Sequence, residues 1–165
     1  MPKMYVTFTL IVFVSALVLQ TSFLPVVAIK AVKPDLILLI VVYLGLVRGS
    51  DIGCVSGFFF GLVEDLYSNK IYLGSNALTK TLIGFFCGLS GKRLYTHSLF
   101  SQILCVGVGT VVDVVLVWSI NSFAANWKQI VFYETLYNIV CCPLMVLIFR
   151  QGEKRLGVKS SSPKF

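Results

Sequence analysis

The chain has 165 residues, of which 57% are hydrophobic and 13% charged, with a mean hydropathy of +0.89 and a formal net charge of +7. Its charged share is about half that of a soluble domain, which argues strongly against a soluble protein and excludes a disordered tail and a disulfide-rich secreted module. The positive balance does not point to nucleic acid, because Lys and Arg stand between and after the apolar runs rather than along one amphipathic face.

The apolar residues fall in runs, the pattern of helices whose solvent is lipid. The first run, Tyr5 to Ile29, follows Lys3 and is long enough to cross a hydrocarbon core. It ends in Ala28, Ile29, Lys30 rather than a small-x-small cleavage site, so an uncleaved span at 5–29 is expected. Next come Leu36 to Val47 and Ile52 to Val63, separated by the polar break Arg48, Gly49, Ser50, Asp51. They read either as one long helix or as two, with Asp35, Arg48, Asp51 and Glu64 capping or snorkelling. Runs at Ala77 to Gly91, Leu99 to Ile120 and Ile130 to Phe149 complete the series.

Charge placement chooses between five and six spans, since short cytoplasmic loops carry the excess of Lys and Arg. With six spans, Lys3, Arg48, Lys92, Arg93, Arg150, Lys154, Arg155, Lys159 and Lys164 lie inside, and Lys30, Lys33, Lys70 and Lys128 outside. Five spans would bury Arg48 and Asp51 near mid-membrane. The expectation is an all-α integral membrane protein with a single six-helix domain over 1–149. Its spans are 5–29, 35–48, 51–64, 76–91, 99–120 and 129–149, both termini are cytoplasmic, and 150–165 form a basic cytoplasmic tail near anionic lipid.

Gly45, Gly49, Gly53, Gly57 and Gly61 recur every four residues, and Gly84 and Gly88 repeat the spacing. In lipid, small residues at this interval let helix backbones approach closely. Gly53, Gly57, Gly61, Gly84 and Gly88 are thus candidates for bundle packing or for docking a partner's span, and Pro143 is expected to kink the last helix.

Asp113 stands in VVDVVLV, where a carboxyl group facing lipid costs at least about 2 kcal/mol, so it must face the bundle or water. Gly109 and Thr110 lie on the same side of that helix, and Glu134 and Asn138 share a face of the last one. At 1.5 Å per residue, Asp113 lies roughly 10 Å below the outer end of its helix and Lys80 roughly 6 Å below that of its own. Asp65, Lys80, Asp113, Glu134 and Asn138 are therefore expected to converge in the outer half, with a Lys80–Asp113 ion pair. Such a cluster serves either to fix helix register or to line a cavity or partner-binding site.

No catalytic constellation and no cofactor site emerge. The five cysteines, Cys54, Cys87, Cys105, Cys141 and Cys142, lie inside apolar runs, and His97 is the sole histidine. No metal-ligand spacing is present.

Pro34, Asp35, Leu36 before an apolar span, GFFFGLVEDL from Gly57, LGSNAL from Leu73, VVDVVLVW from Val111 and YNIVCCP from Tyr137 together resemble the rod shape-determining protein MreD family. The resemblance covers nearly the whole chain in order, at Pro34, Gly57, Gly61, Asp65, Gly74, Ala77, Leu78, Asp113, Asn138 and Pro143. It implies a polytopic protein of the bacterial inner membrane with a fold similar to the substrate-binding subunits of energy-coupling factor transporters. It also implies a non-catalytic scaffold or adaptor in the cell-wall elongation complex, binding MreC alongside MreB, RodA and a penicillin-binding transpeptidase. The alternative carried by the same architecture is a substrate-binding membrane subunit of a vitamin or metal transporter.

Overall fold

The computed structural model describes residues 3–23, 32–67, 73–91, 98–120 and 127–157. Residues 24–29 of the expected first span, Lys30, Lys70, Lys92, Arg93, His97, Lys159 and Lys164 lie outside the described residues. Those described form six helices and no strand: α1 (Lys3–Val18, continued by a π-helical turn Leu19–Phe23), α2 (Leu36–Arg48), α3 (Ser50–Tyr67), α4 (Ser75–Gly91), α5 (Leu99–Ile120) and α6 (Trp127–Arg155). Three of them, α1 with its π turn, α5 and α6, are long and apolar enough to cross a membrane.

The apolar run of α2 explains its place. Every residue from Leu36 to Val47 is buried, and the helix touches all five others. A helix apolar all round is a core helix. It starts where the Asp35 side chain accepts a hydrogen bond from the Leu38 amide at 2.9 Å, an N-cap that satisfies one of the orphan donors of the first turn. It ends at Gly49, whose φ of 99° lies in the left-handed region that favours glycine. One residue thus separates α2 from α3, and the polar break is a turn between two helices.

The glycine repeat holds α3 against α4. A Cβ at Gly53 would collide with the Gly84 carbonyl oxygen, one at Gly57 with that of Lys80, and one at Gly88 with the Ser50 backbone. One at Gly61 would stand 2.6 Å from the Asn76 carbonyl oxygen. The two backbones therefore touch along their length, and the repeat is consumed inside the bundle. Gly45 joins the same seam from α2, since its Cβ would lie 2.7 Å from the Gly84 oxygen.

On the outer helices one stripe faces the core and the rest is apolar and exposed. In α1, Tyr5, Thr9, Val12, Phe13 and Ala16 are buried while Val6, Leu10, Ile11 and Val14 are exposed. In α6, Asn138, Cys142, Met145, Val146 and Phe149 are buried while Val140, Leu144 and Leu147 are exposed. Apolar surface on the outside is what a lipid solvent permits. Phe13 stacks on Phe60 at 4.0 Å and Tyr43 on Phe149 at 4.6 Å between ring centroids, tying α1 to α3 and α2 to α6.

The tail reading of residues 150–165 is corrected over its first part. α6 runs on to Arg155, with Gly152 and Glu153 buried. The reason is tertiary: Gly152 lies against the Phe8 ring, and Glu153 finds partners on α1 and α2. Pro143 stands within α6 and removes one backbone donor there.

Candidate functional site

Contacts between helix termini give the bundle two ends. At one, Tyr5 near the start of α1 meets Glu153 near the close of α6. Arg48, the last residue of α2, lies there too, and successive helices run in alternating directions from this end to the other.

At the opposite end the six helices each supply part of one buried polar cluster. α4 carries Lys80, which is fully buried. Its Nζ lies 2.7 Å from Asp35 Oδ2, 2.8 Å from Glu64 Oε2 and 3.9 Å from Asp113 Oδ2. Lys80 reaches these groups because helical side chains lean back toward the start of their helix, here toward the end where Asp35 and Glu64 sit. Asp35 caps α2, so its carboxylate is held both by a helix amide and by the ammonium. Glu64 Oε1 accepts from Gln20 Nε2 at 3.0 Å, bringing the π turn of α1 into the group. That Gln20 is buried follows from the widened turn, which re-registers the side chains after Leu19.

Asp113 on α5 accepts from the Thr79 hydroxyl at 2.6 Å. Beside it, Asn138 on α6 spans two helices: its Oδ1 accepts from the Asp35 amide at 2.8 Å and its Nδ2 donates to Thr110 Oγ1 at 3.0 Å. The Thr110 hydroxyl donates in turn to the Val106 carbonyl at 2.8 Å. Carboxylate oxygens of Asp35, Asp113 and Glu134 lie within 4.8 Å of one another. That is the spacing at which acidic oxygens share a cation, and the Lys80 ammonium stands beside two of the three, Asp35 and Asp113.

Lys80, Asp113, Glu134 and Asn138 lie together at one end. Asp65 is at that end in a different role, accepting from the Asn76 and Ala77 amides at 3.2 and 3.0 Å and so capping α4. The Lys80–Asp113 contact exists at 3.9 Å, but Asp35 and Glu64 are the nearer partners, although their places at the edges of apolar runs suggest only capping or snorkelling. The glycine register of α3 and α4 carried the missing signal, since it aligns the close of one helix with the start of the other. Gly53, Gly57, Gly61, Gly84 and Gly88 lie between α3 and α4, away from the cluster's centre.

A second polar group, at the end where α1 starts, went unnoticed in the sequence. Arg48 Nη2 lies 3.0 Å from Glu153 Oε1, the Tyr5 hydroxyl donates to the same oxygen at 3.3 Å, and the guanidinium stacks 4.0 Å from the centroid of the Tyr5 ring. Only Arg48 stood out, as a loop charge. Glu153 lies in a polar hexapeptide that gives no sign of burial.

Between α2, α5 and α6 lies a cavity of about 10 Å³ lined by residues such as Leu39, Val42, Gln102 and Met145, room for one water at most. Neither polar group opens into it.

The family model of rod shape-determining protein MreD matches residues 1–151. No solved structure matches the chain. A match over that length settles kinship, and the chain belongs to the MreD family of rod shape-determining membrane proteins.

Proposed function

We propose that the protein is a non-catalytic scaffold subunit of the bacterial cell-wall elongation complex, which crosses the inner membrane six times with both termini cytoplasmic and binds MreC. The family match over residues 1–151 carries this reading. MreB, RodA and a penicillin-binding transpeptidase are the further partners it implies.

The six-span topology is supported by the alternating direction of the helices and by the shielding of α2. At 13 residues α2 is about 20 Å long, short of a 30 Å hydrocarbon core. Its neighbours enclose it, so lipid does not set its length. A fold like that of energy-coupling factor substrate-binding subunits accords with six helices, five of them around the buried α2. Rigidity suits a scaffold: ion pairs and hydrogen bonds fix the bundle at both ends.

Affinity purification of the full chain from membranes in mild detergent tests the proposal. Stoichiometric recovery of MreC is expected. Recovery of an ATP-driven transport module instead, or of a tightly held small molecule without MreC, overturns it.

A further inference from the structure

Three of the chain's seven acidic residues, Asp35, Glu64 and Asp113, meet around Lys80, and a fourth, Glu134, lies beside Asp35 and Asp113. They come from the cap of α2 and from α3, α5 and α6, and the ammonium comes from α4. Other charged groups described at this end are engaged elsewhere. The Lys33 ammonium donates to the Gln20 carbonyl at 3.3 Å, Lys128 lies over the Trp127 ring, and Asp65 binds the α4 amides. α1 contributes Gln20, which is neutral. Among the described residues, one positive charge therefore stands with four acidic groups, three of them at the ammonium and Glu134 beside Asp113, in a region where Lys80, Asp35 and Asp113 are almost wholly shielded from solvent. Like charges at such separations do not all ionise; carboxyl groups that share a site keep protons instead.

Asp35 is the group best held as an anion. One of its oxygens sits at the start of α2 and the other at 2.7 Å from Lys80. Asp113 is farther from the ammonium, at 3.9 Å, and lies beside Glu134. Gln20 supplies a second, independent observation. Its side chain is buried against Glu64, and its Oε1 has no hydrogen-bond partner while its Nε2 donates to Glu64. An acceptor buried beside a carboxyl group calls for a donor there. Turning the amide over brings Oε1 to Glu64, an arrangement that a protonated carboxyl satisfies and a carboxylate does not.

We propose that the cluster is a proton-binding site, in which at neutral pH at least one proton is shared among Glu64, Asp113 and Glu134 while Asp35 stays ionised against Lys80. The proton is the positive charge that Lys80 alone does not supply. Its loss leaves unbalanced charge where α1 to α6 are pinned together, so this end of the bundle loosens as the medium turns alkaline. The sign follows from linkage: the folded form holds protons that the opened form releases, so stability falls as pH rises through the titration of the site.

Infrared spectra of the full chain in lipid nanodiscs, recorded from mildly acidic to alkaline buffer, test this without a variant. The carbonyl stretch of a protonated carboxyl is expected at neutral pH, fading as the buffer becomes alkaline together with a fall in melting temperature. Glu64→Gln, Asp113→Asn and Glu134→Gln serve as a second arm; the band weakens in at least one of them and is unchanged in Glu153→Gln at the other end. Absence of the band at every pH, or its persistence at full strength in all three cluster variants, overturns the proposal. So does a melting temperature that follows sodium concentration rather than pH, which would make the missing charge an alkali cation.

Discussion

Removing the Lys80 ammonium leaves Asp35, Glu64 and Asp113 facing one another in a buried space. Breaking a buried pair from one side costs about 3–5 kcal/mol, because the surviving charge keeps its desolvation penalty. Lys80→Met is therefore expected to lower the yield of folded, monodisperse protein severely, read by size-exclusion chromatography in detergent. The distances also rank the partners. A double-mutant cycle on melting temperature should give a larger coupling for Lys80 with Asp35, at 2.7 Å, than with Asp113, at 3.9 Å. Equal couplings would mean that the ammonium sits midway. Asp113 was legible in the sequence because an acid inside VVDVVLV has no cheap alternative to burial. Asp35 and Glu64 stand at the edges of their runs, where capping and snorkelling are equally good uses of a carboxylate. Their tie to Lys80 depends on how α2, α3 and α4 meet, which no single run encodes.

At the scale of elements, the contact between α3 and α4 rests on absent side chains. Gly57→Leu would force its Cβ into the Lys80 carbonyl, and since backbone must move, the cost is expected to exceed the about 1–3 kcal/mol of ordinary overpacking. Gly107→Ala is the matched control, because its Cβ would find only the Ile139 side chain at 3.9 Å. The first should abolish a sharp elution peak and the second leave it intact; tolerance of Gly57→Leu would show that the helices are not in backbone contact. The close of α6 makes a similar case. Truncation after Phe149 removes Glu153 from Arg48 and Tyr5, Gly152 from the Phe8 ring and Leu156 from the core, and should lower the melting temperature although residues 150–155 are polar or charged apart from one glycine. The four-residue glycine interval was plain in the sequence, as was the turn at Arg48 to Asp51. The length of α6 was not, since RQGEKR is polar and carries a glycine that reads as a helix stop; tertiary contacts overrode that local signal.

For the molecule as a whole, the two polar groups define an axis. The Tyr5–Arg48–Glu153 group and the Lys80 cluster lie at opposite ends of a bundle whose outer surface between them is apolar. An arrangement with polar locks at both ends and apolar flanks suits a membrane, because inside hydrocarbon neither lock could exchange its partners for water. The basic residues Lys3, Arg48, Lys154 and Arg155 gather at the first end, and the proposed cytoplasmic orientation of that end rests on the rule for cytoplasmic charge. Site-directed labelling checks this in full. With the five cysteines replaced by alanine, single cysteines are placed at Met4, Lys154 and Leu73, all exposed. In intact cells a membrane-impermeant thiol reagent should label position 73 and spare 4 and 154, and all three should react once the membrane is opened. Labelling of 4 and 154 from opposite sides would contradict the contact between Tyr5 and Glu153, because residues three positions or fewer from a shared hydrogen-bonded group cannot straddle a bilayer about 30 Å thick. Labelling of 73 together with 4 from one side would mean that the bundle axis lies along the membrane rather than across it. The six-span reading and the positions of both polar groups therefore stand or fall on the same three residues.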